Sequence, residues 1–211
     1  SSVYNECKFY QISGELNVEA LLSSFKKIFQ RHDILRTTLR TDDSGASQVI
    51  EPDIEIPFIY EKEDSLSKIQ SIIKEETNIT FNLDSDCLFR VRLVDTGAHC
   101  LLLVNMHHII TDGWSMQVMI SELERFYPQY LGTQPQDNPL MLQYADFAQW
   151  QRKWLHNSQA NQQLLYWREQ LEGLPLIHEL RTDYSRPVSQ SFIGEQQQCV
   201  LNNSMTQAIH R

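Results

Sequence analysis

Long apolar runs are missing from this chain. The longest, Cys100 to Val104, is far too short to cross a bilayer as a helix, which takes about 20 residues. Cysteine is scarce: Cys7, Cys87, Cys100 and Cys199 lie far apart and form no Cys-x-x-Cys pair. That excludes a dense disulfide framework and a zinc knuckle, and it points to free thiols in a reducing cytoplasm. Three of them, Cys7, Cys100 and Cys199, sit in strand-like segments. With only 7 glycines and 7 prolines, collagen-like and low-complexity architectures are excluded too. Positive charge is in deficit: 18 Lys+Arg against 27 Asp+Glu give −9, without a basic run. Nucleic-acid binding through phosphate neutralisation and attraction to an anionic membrane surface are both disfavoured.

What is present is an ordinary globular composition, 41% hydrophobic and 21% charged, over 211 residues. That length builds one full domain or two small ones. No basic-then-apolar leader is visible, so no secretion signal is expected. The chain opens Ser-Ser-Val and stops at His210-Arg211, and it reads as a piece of something longer.

Strand and helix patterns alternate. A strand is expected at 6–12, and Asn17 caps a helix with Leu21, Leu22, Phe25, Ile28 and Phe29 on one face. Segment 34–40 alternates Leu35, Thr37 and Leu39 against Arg36, Thr38 and Arg40, a strand pattern, and 41–45 turns it into a partner at 48–50. A strand at 56–60 precedes a helix whose buried stripe is Leu66, Ile69, Ile72 and Ile73. Phe89, Val91 and Leu93 alternate with Arg90 and Arg92, and after the turn at 95–98 the run from His99 to Met106 is apolar enough to be covered on both faces. A helix starts near Trp114 with Met116, Met119, Ile120, Leu123, Tyr127 and Tyr130 at helical spacing, and Pro128 is expected to kink or shorten it. Helices at 142–156 and 160–172 follow, then an extended tail with a strand at 195–201. The alternation implies an α/β layered sandwich.

The chemistry concentrates at His107-His108-Ile109-Ile110-Thr111-Asp112-Gly113. Adjacent strand residues point to opposite faces, so one histidine braces while the other reaches a cavity. Gly113 permits a tight turn into the helix, whose first N–H groups favour nearby negative charge. Three readings stand on these residues alone. They are hydrogen-bonded core histidines, or a metal site for which Asp112 is the one nearby carboxylate, or a general base titrating near neutral pH. A serine nucleophile is poorly supported, because Gly113-Trp114-Ser115-Met116-Gln117 lacks the second glycine of a nucleophile elbow. No P-loop or dinucleotide glycine fingerprint is present.

Met106-His107-His108-Ile109-Ile110-Thr111-Asp112-Gly113-Trp114-Ser115 resembles the His-His-x-x-x-Asp-Gly signature of condensation domains in nonribosomal peptide synthetases. Arg31-His32-Asp33-Ile34-Leu35-Arg36-Thr37 is similar to the family's Arg-His-Glu-x-Leu-Arg-Thr segment, with Asp33 in place of Glu. Tyr144-Ala145-Asp146-Phe147-Ala148-Gln149-Trp150 is similar to its Tyr-x-Asp-Phe-Ala-x-Trp segment. Tyr166-Trp167, Leu171-Glu172-Gly173, Arg181-Thr182-Asp183 and Arg186-Pro187 continue the resemblance, with Arg181 where proline is usual. The family's Gln-rich opening segment is not found. Chloramphenicol acetyltransferase-like enzymes and wax-ester synthases share the first signature, but three segments in order are specific.

The resemblance implies a chloramphenicol acetyltransferase-like fold, a mixed sheet covered by helices, forming one lobe of a two-lobed domain. Residues 1–175 would be the amino-terminal lobe, and 176–211 a linker and the start of the missing carboxy-terminal lobe. It implies amide formation between thioesters on the phosphopantetheine arms of donor and acceptor carrier domains, beside an adenylation domain, with no cofactor or metal held by this chain. His108 is then the catalytic histidine, as base or as the group that orients the amine, and His107 its brace. Asp112 is chiefly structural, and Gly113 offers an N–H to the reacting carbonyl. Arg31 and Arg36 support the site. Arg36 is the candidate partner of Asp112, with a solvated surface arginine as the alternative reading. Trp114, Tyr144, Phe147 and Trp150 are expected in the core. A coenzyme A-dependent acyltransferase and a non-catalytic recruiting relative remain alternatives. Asp112-Gly113-Trp114-Ser115-Met116 departs from the Asp-Gly-x-Ser-Trp of epimerases. Without the second lobe the fragment is expected to be inactive.

Overall fold

Asn17 opens the first helix as its sequence position demands. Its side chain accepts the Ala20 N–H at 2.9 Å, and α1 (Val18–Arg31) turns Leu21, Phe25, Ile28 and Phe29 inward. The computed structural model describes residues 2–43, 45–132, 139–175, 181–185, 187–189 and 199–209. Packing divides the chain into two units, Ser1–Gln170 and Leu171–Arg211.

In the first unit, β1 (Asn5–Ile12), β4 (Phe58–Lys62), β5 (Phe89–Asp95) and β6 (Cys100–His107) form one sheet in the order β1-β6-β5-β4. β6 runs antiparallel to both neighbours, while β4 and β5 are parallel, so the sheet is mixed as expected. A separate hairpin pairs β2 (Thr37–Asp42) with β3 (Gly45–Ile50). α2 (Leu66–Thr77) and α3 (Gly113–Tyr130) complete the layers, and α4 (Tyr144–Leu155) and α5 (Ser158–Gln170) follow.

The period-two pattern of the two central strands dictates the layering. Phe89, Val91 and Leu93 of β5 and Leu102, Val104 and Met106 of β6 join α1 and α3 in the main core. The alternate residues Val94 and Leu103 meet Ile72 of α2 in a smaller cluster. β6 is thus buried on both sides, which is why its sequence is nearly uninterrupted in apolar character. Arg90 and Arg92 share the α2 face and find carboxylates there: Arg90 Nε lies 3.0 Å from Glu76, and Arg92 pairs with Glu61 and Glu75.

Several elements differ from the sequence pattern. Residues 33–36 form a 3-10 turn rather than the start of a strand, because Arg36 folds back onto Asp33 and the Thr37 hydroxyl donates to the Asp33 carbonyl. β4 lies two residues later than the pattern placed it. Leu66 is exposed, whereas Glu76 is buried with Ile72. α3 continues through Pro128 to Tyr130, which is itself exposed. All four cysteines are free, and burial pushes the thiols of Cys7 and Cys87 up to about 11. Cys199 is not on a strand.

In the second unit the chain turns at Gly173 (φ 79°), and α6 (Asn203–Ile209) is capped by the Asn202 side chain, which accepts the Met205 N–H. The strand read at 195–201 lies mostly outside the described residues, and 199–201 carry no regular structure. No described helix is long and apolar enough to cross a membrane.

Candidate functional site

The two histidines diverge at the end of β6. His107 is partly buried on the α2 side, against the rings of Phe81 and Tyr4, and its Nδ1 accepts the Ile109 N–H at 3.1 Å. Burial lowers its pKa, which keeps it neutral at physiological pH. His108 leaves the strand with its backbone N–H donating to the Tyr4 carbonyl at 2.7 Å. Its Nδ1 lies 2.7 Å from the Thr111 carbonyl. A carbonyl only accepts, so Nδ1 carries the proton and neutral His108 presents a lone pair on Nε2. Its side chain is 52% exposed.

Glu6 of β1 reaches the same place. It sits opposite Met106, so it shares a sheet face with His108, and its Oε1 lies 3.5 Å from His108 Nε2. The Thr111 carbonyl first, then the Glu6 charge, raise the His108 pKa above its ordinary value.

Asp112 caps α3. One carboxylate oxygen accepts both the backbone N–H and the hydroxyl of Ser115, at 2.8 and 2.6 Å, and these bonds lower its pKa. The cap aligns the first turn of the helix, where the N–H of Gly113 has no intrahelical acceptor. A Cβ at Gly113 would meet nothing, so space does not demand glycine there.

Arg36 does not meet Asp112. It pairs with Asp33 at 2.6 Å and donates to the Phe29 and Gln30 carbonyls, closing the turn between α1 and β2. Asp112 satisfies itself locally through Ser115, so it needs no arginine. Replacing Asp112 by Ala should cost roughly 1 kcal/mol, as other cap losses do. Replacing Arg36 by Ala should cost about 1–2 kcal/mol. In the double variant the losses should add within about 0.5 kcal/mol in denaturant melts, since the two share no partner.

Arg31 is tied to α3 through a residue that carries no motif signal. Arg31 Nε and His32 Nε2 converge on Glu122 of α3, at 2.8 and 2.7 Å. Gln143 joins the third segment: it accepts the Asp33 N–H and donates to the Arg31 carbonyl, while Asp146 accepts the Gln143 N–H as a capping box for α4. The three sequence segments are therefore tied in space by Glu122 and Gln143. Beside them opens a cavity of about 290 Å³ lined mainly by apolar side chains, with Ile34, Met106, Thr111, Trp114, Val118 and Tyr144 among them. His108 is not part of its lining and opens to solvent instead.

Four aromatics expected in the core are exposed: Trp114 at 75%, with Tyr144, Phe147 and Trp150 about half accessible. The last three meet in sequence along α4 as tilted ring pairs. No cluster of three or more metal-ligating side chains occurs among the described residues.

This arrangement has close parallels. A linear gramicidin synthase protein of Brevibacillus parabrevis is 36% identical over the whole chain, which spans 3% of that protein. The X-domain in its complex with OxyB from teicoplanin biosynthesis superposes with a TM-score of 0.74 at 27% identity, covering 87% of this chain and 42% of that one. The epimerization domain of tyrocidine synthetase B shares the fold at a TM-score of 0.77 and 21% identity, over 88% of this chain and 43% of that one. The chain is thus a small part of its curated relatives and less than half of these solved domains. The condensation-domain family model matches residues 1–211, and the chain belongs to that family.

Proposed function

We propose that this chain is the amino-terminal lobe (residues 1–175) and the beginning of the carboxy-terminal lobe (176–211) of a domain that forms amide bonds in nonribosomal peptide synthesis. The substrates are a donor acyl or peptidyl thioester and an acceptor aminoacyl thioester, each on the phosphopantetheine arm of a carrier domain. An adenylation domain loads the acceptor, in a cytoplasmic assembly. The observation that carries this reading is the pinned tautomer of His108, whose Nδ1–H is committed to the Thr111 carbonyl while Nε2 faces outward.

The acceptor amine attacks the thioester carbon and the C–N bond forms. His108 Nε2 takes the proton that the amine loses. The oxyanion of the tetrahedral intermediate is stabilised by the Gly113 N–H at the positive end of α3. The C–S bond then breaks, and the departing thiolate receives the proton from His108. Asp112 keeps the helix start in place for this, and His107 anchors the strand end.

The test offers the complete synthetase loaded donor and acceptor carriers and looks for the elongated acceptor thioester by mass spectrometry. The product should form with the complete domain and be undetectable with the 211-residue chain alone, which lacks the wall that aligns the arms and excludes water. Turnover by the chain alone, or acyl transfer from coenzyme A in place of the carrier thioester, would overturn the proposal. A recruiting role without catalysis is the second reading, favoured by the likeness to an X-domain in complex with a partner. Against it stands the intact His107, His108 and Asp112 constellation.

A further inference from the structure

The Glu6 carboxylate makes no hydrogen bond among the described residues. Its Oε2 is buried with no hydrogen-bond partner, and its Oε1 has His108 Nε2 at 3.5 Å, longer than a good hydrogen bond. Most of its side chain is buried, with 22% exposed. Carboxylates held this way inside a protein normally accept several donors, and leaving one without them is costly unless a ligand supplies the donor.

The neighbourhood restricts what that donor can be. Around His108, Asp112 on α3 is committed to Ser115, His107 packs against Phe81 on the other side of the sheet, and the Tyr4 ring lies against His107. Glu6 and His108 are two potential ligands with no third to complete a metal shell among the described residues. A cation presented from solvent at the Nε2 side of His108 would meet the Glu6 oxygen and the imidazole lone pair together. An ammonium group fits, because it offers several N–H donors that can point at both acceptors at once.

We infer that Glu6 is the binding group for the acceptor's α-amine, accepting one of its N–H bonds while His108 Nε2 faces another. The inference rests on the reading of His108 as the catalytic histidine and names a substrate contact that the His-His-x-x-x-Asp-Gly signature does not contain. The donor thioester has no N–H at its reacting carbonyl, so the contact discriminates the nucleophile from the electrophile. It also orients the nitrogen, since an amine held at two points has little freedom left to turn its lone pair from the thioester carbon.

Two measurements test this, both at about pH 8, above the ordinary imidazole range. In the complete synthetase, Glu6→Gln should raise the acceptor KM about tenfold and leave the donor KM unchanged, and Glu6→Asp should recover part of the loss. In the second, the 211-residue chain is titrated with alanyl pantetheine amide and with its N-acetyl derivative, following the His108 ring protons by NMR. The wild-type chain should bind the free amine about tenfold more tightly than the acetylated probe, and Glu6→Gln should bind the two alike. Glu6→Gln is nearly isosteric, and an unchanged thermal midpoint confirms that its fold is kept. Equal amine binding by wild type and Glu6→Gln would overturn the inference. So would an unchanged acceptor KM with only a displaced pH profile, which would mean that Glu6 acts through His108 alone. Amine selectivity that depends on Glu6 in a complete domain that forms no amide would sink the condensation reading and leave the ammonium site standing.

Discussion

Replacing His108 by Ala in the complete domain should lower kcat by about 10²–10⁴-fold, the range over which general-base catalysis acts, with little change in thermal midpoint. The ring is more than half exposed and makes one short hydrogen bond, to the Thr111 carbonyl, so the fold loses little when it is removed. His107→Ala should behave in the opposite way. It empties a site between Tyr4 and Phe81 and frees the Ile109 N–H, so stability should fall by roughly 1–2 kcal/mol while the chemistry survives in the folded fraction. The pH profile separates a base from a group that only orients the amine. A base acts through its neutral form, and the Thr111 carbonyl and Glu6 raise the His108 pKa above 6.5. The rate should therefore fall with unit slope as pH drops through a limb lying above 6.5, and that limb should vanish in the His108→Ala residual activity. The same shift acts on stability with the other sign. The charged imidazole is favoured in the folded state, so its contribution is fully present below pH 6.5 and fades as pH rises through the folded pKa. A folded His108→Ala enzyme within tenfold of wild type would remove His108 from the chemistry.

The second large effect lies on the far side of the sheet. Glu76 is 1% exposed, 3.0 Å from Arg90 and 3.7 Å from Arg92. Its backbone carbonyl accepts the Asn105 side chain from β6 at 2.6 Å, so this one residue links α2 to the strand that ends at His107. Glu76→Ala would leave the partly buried Arg90 without its carboxylate, whereas Arg92 keeps Glu61 and Glu75. Breaking a buried pair from one side costs about 3–5 kcal/mol. The solvent access of Arg90 places the expected loss at or below the lower end, roughly 2–3 kcal/mol, or about 4–12 °C in thermal midpoint. Glu76→Gln, which keeps the shape and a hydrogen-bond acceptor, should lose less than Glu76→Ala. Calorimetry of the two variants decides the matter, and equal losses would assign the whole effect to the lost charge, with no contribution from side-chain shape.

Patterns with a single local cause were legible in the residues. The Asn17 cap, the alternation in β5, the apolar run of β6 and the Asp-Gly helix start each depend on neighbours a few positions away, and each stands in the structure where the sequence placed it. Alternation misled at 34–36, because a turn closed by Arg36 and Asp33 presents the same in-and-out residues as a strand. Aromatic content misled along α4. A stripe of Tyr144, Phe147 and Trp150 looks the same in a sequence whether or not its covering surface is within the chain.

For the candidate site, the sequence pointed to His107, His108, Asp112 and Gly113, since contiguous residues share one turn and their spacing carries the signature. It could not assign partners, because a partner is chosen by distance in space. Asp112 found its donors in Ser115, three residues away, and Arg36 found Asp33, so the pairing expected between them never arises. Glu6 lies about a hundred positions before His108 and is brought to it only by the antiparallel register of β1 on β6. Glu122 and Gln143, which tie the three segments together, carry no signature of their own. Local chemistry thus determined which side chain could take a proton and which nitrogen of it was free to do so once Thr111 was in place. Sheet register and helix packing decided which carboxylate stands beside that nitrogen, because charges interact across whatever gap the fold leaves and not along the chain.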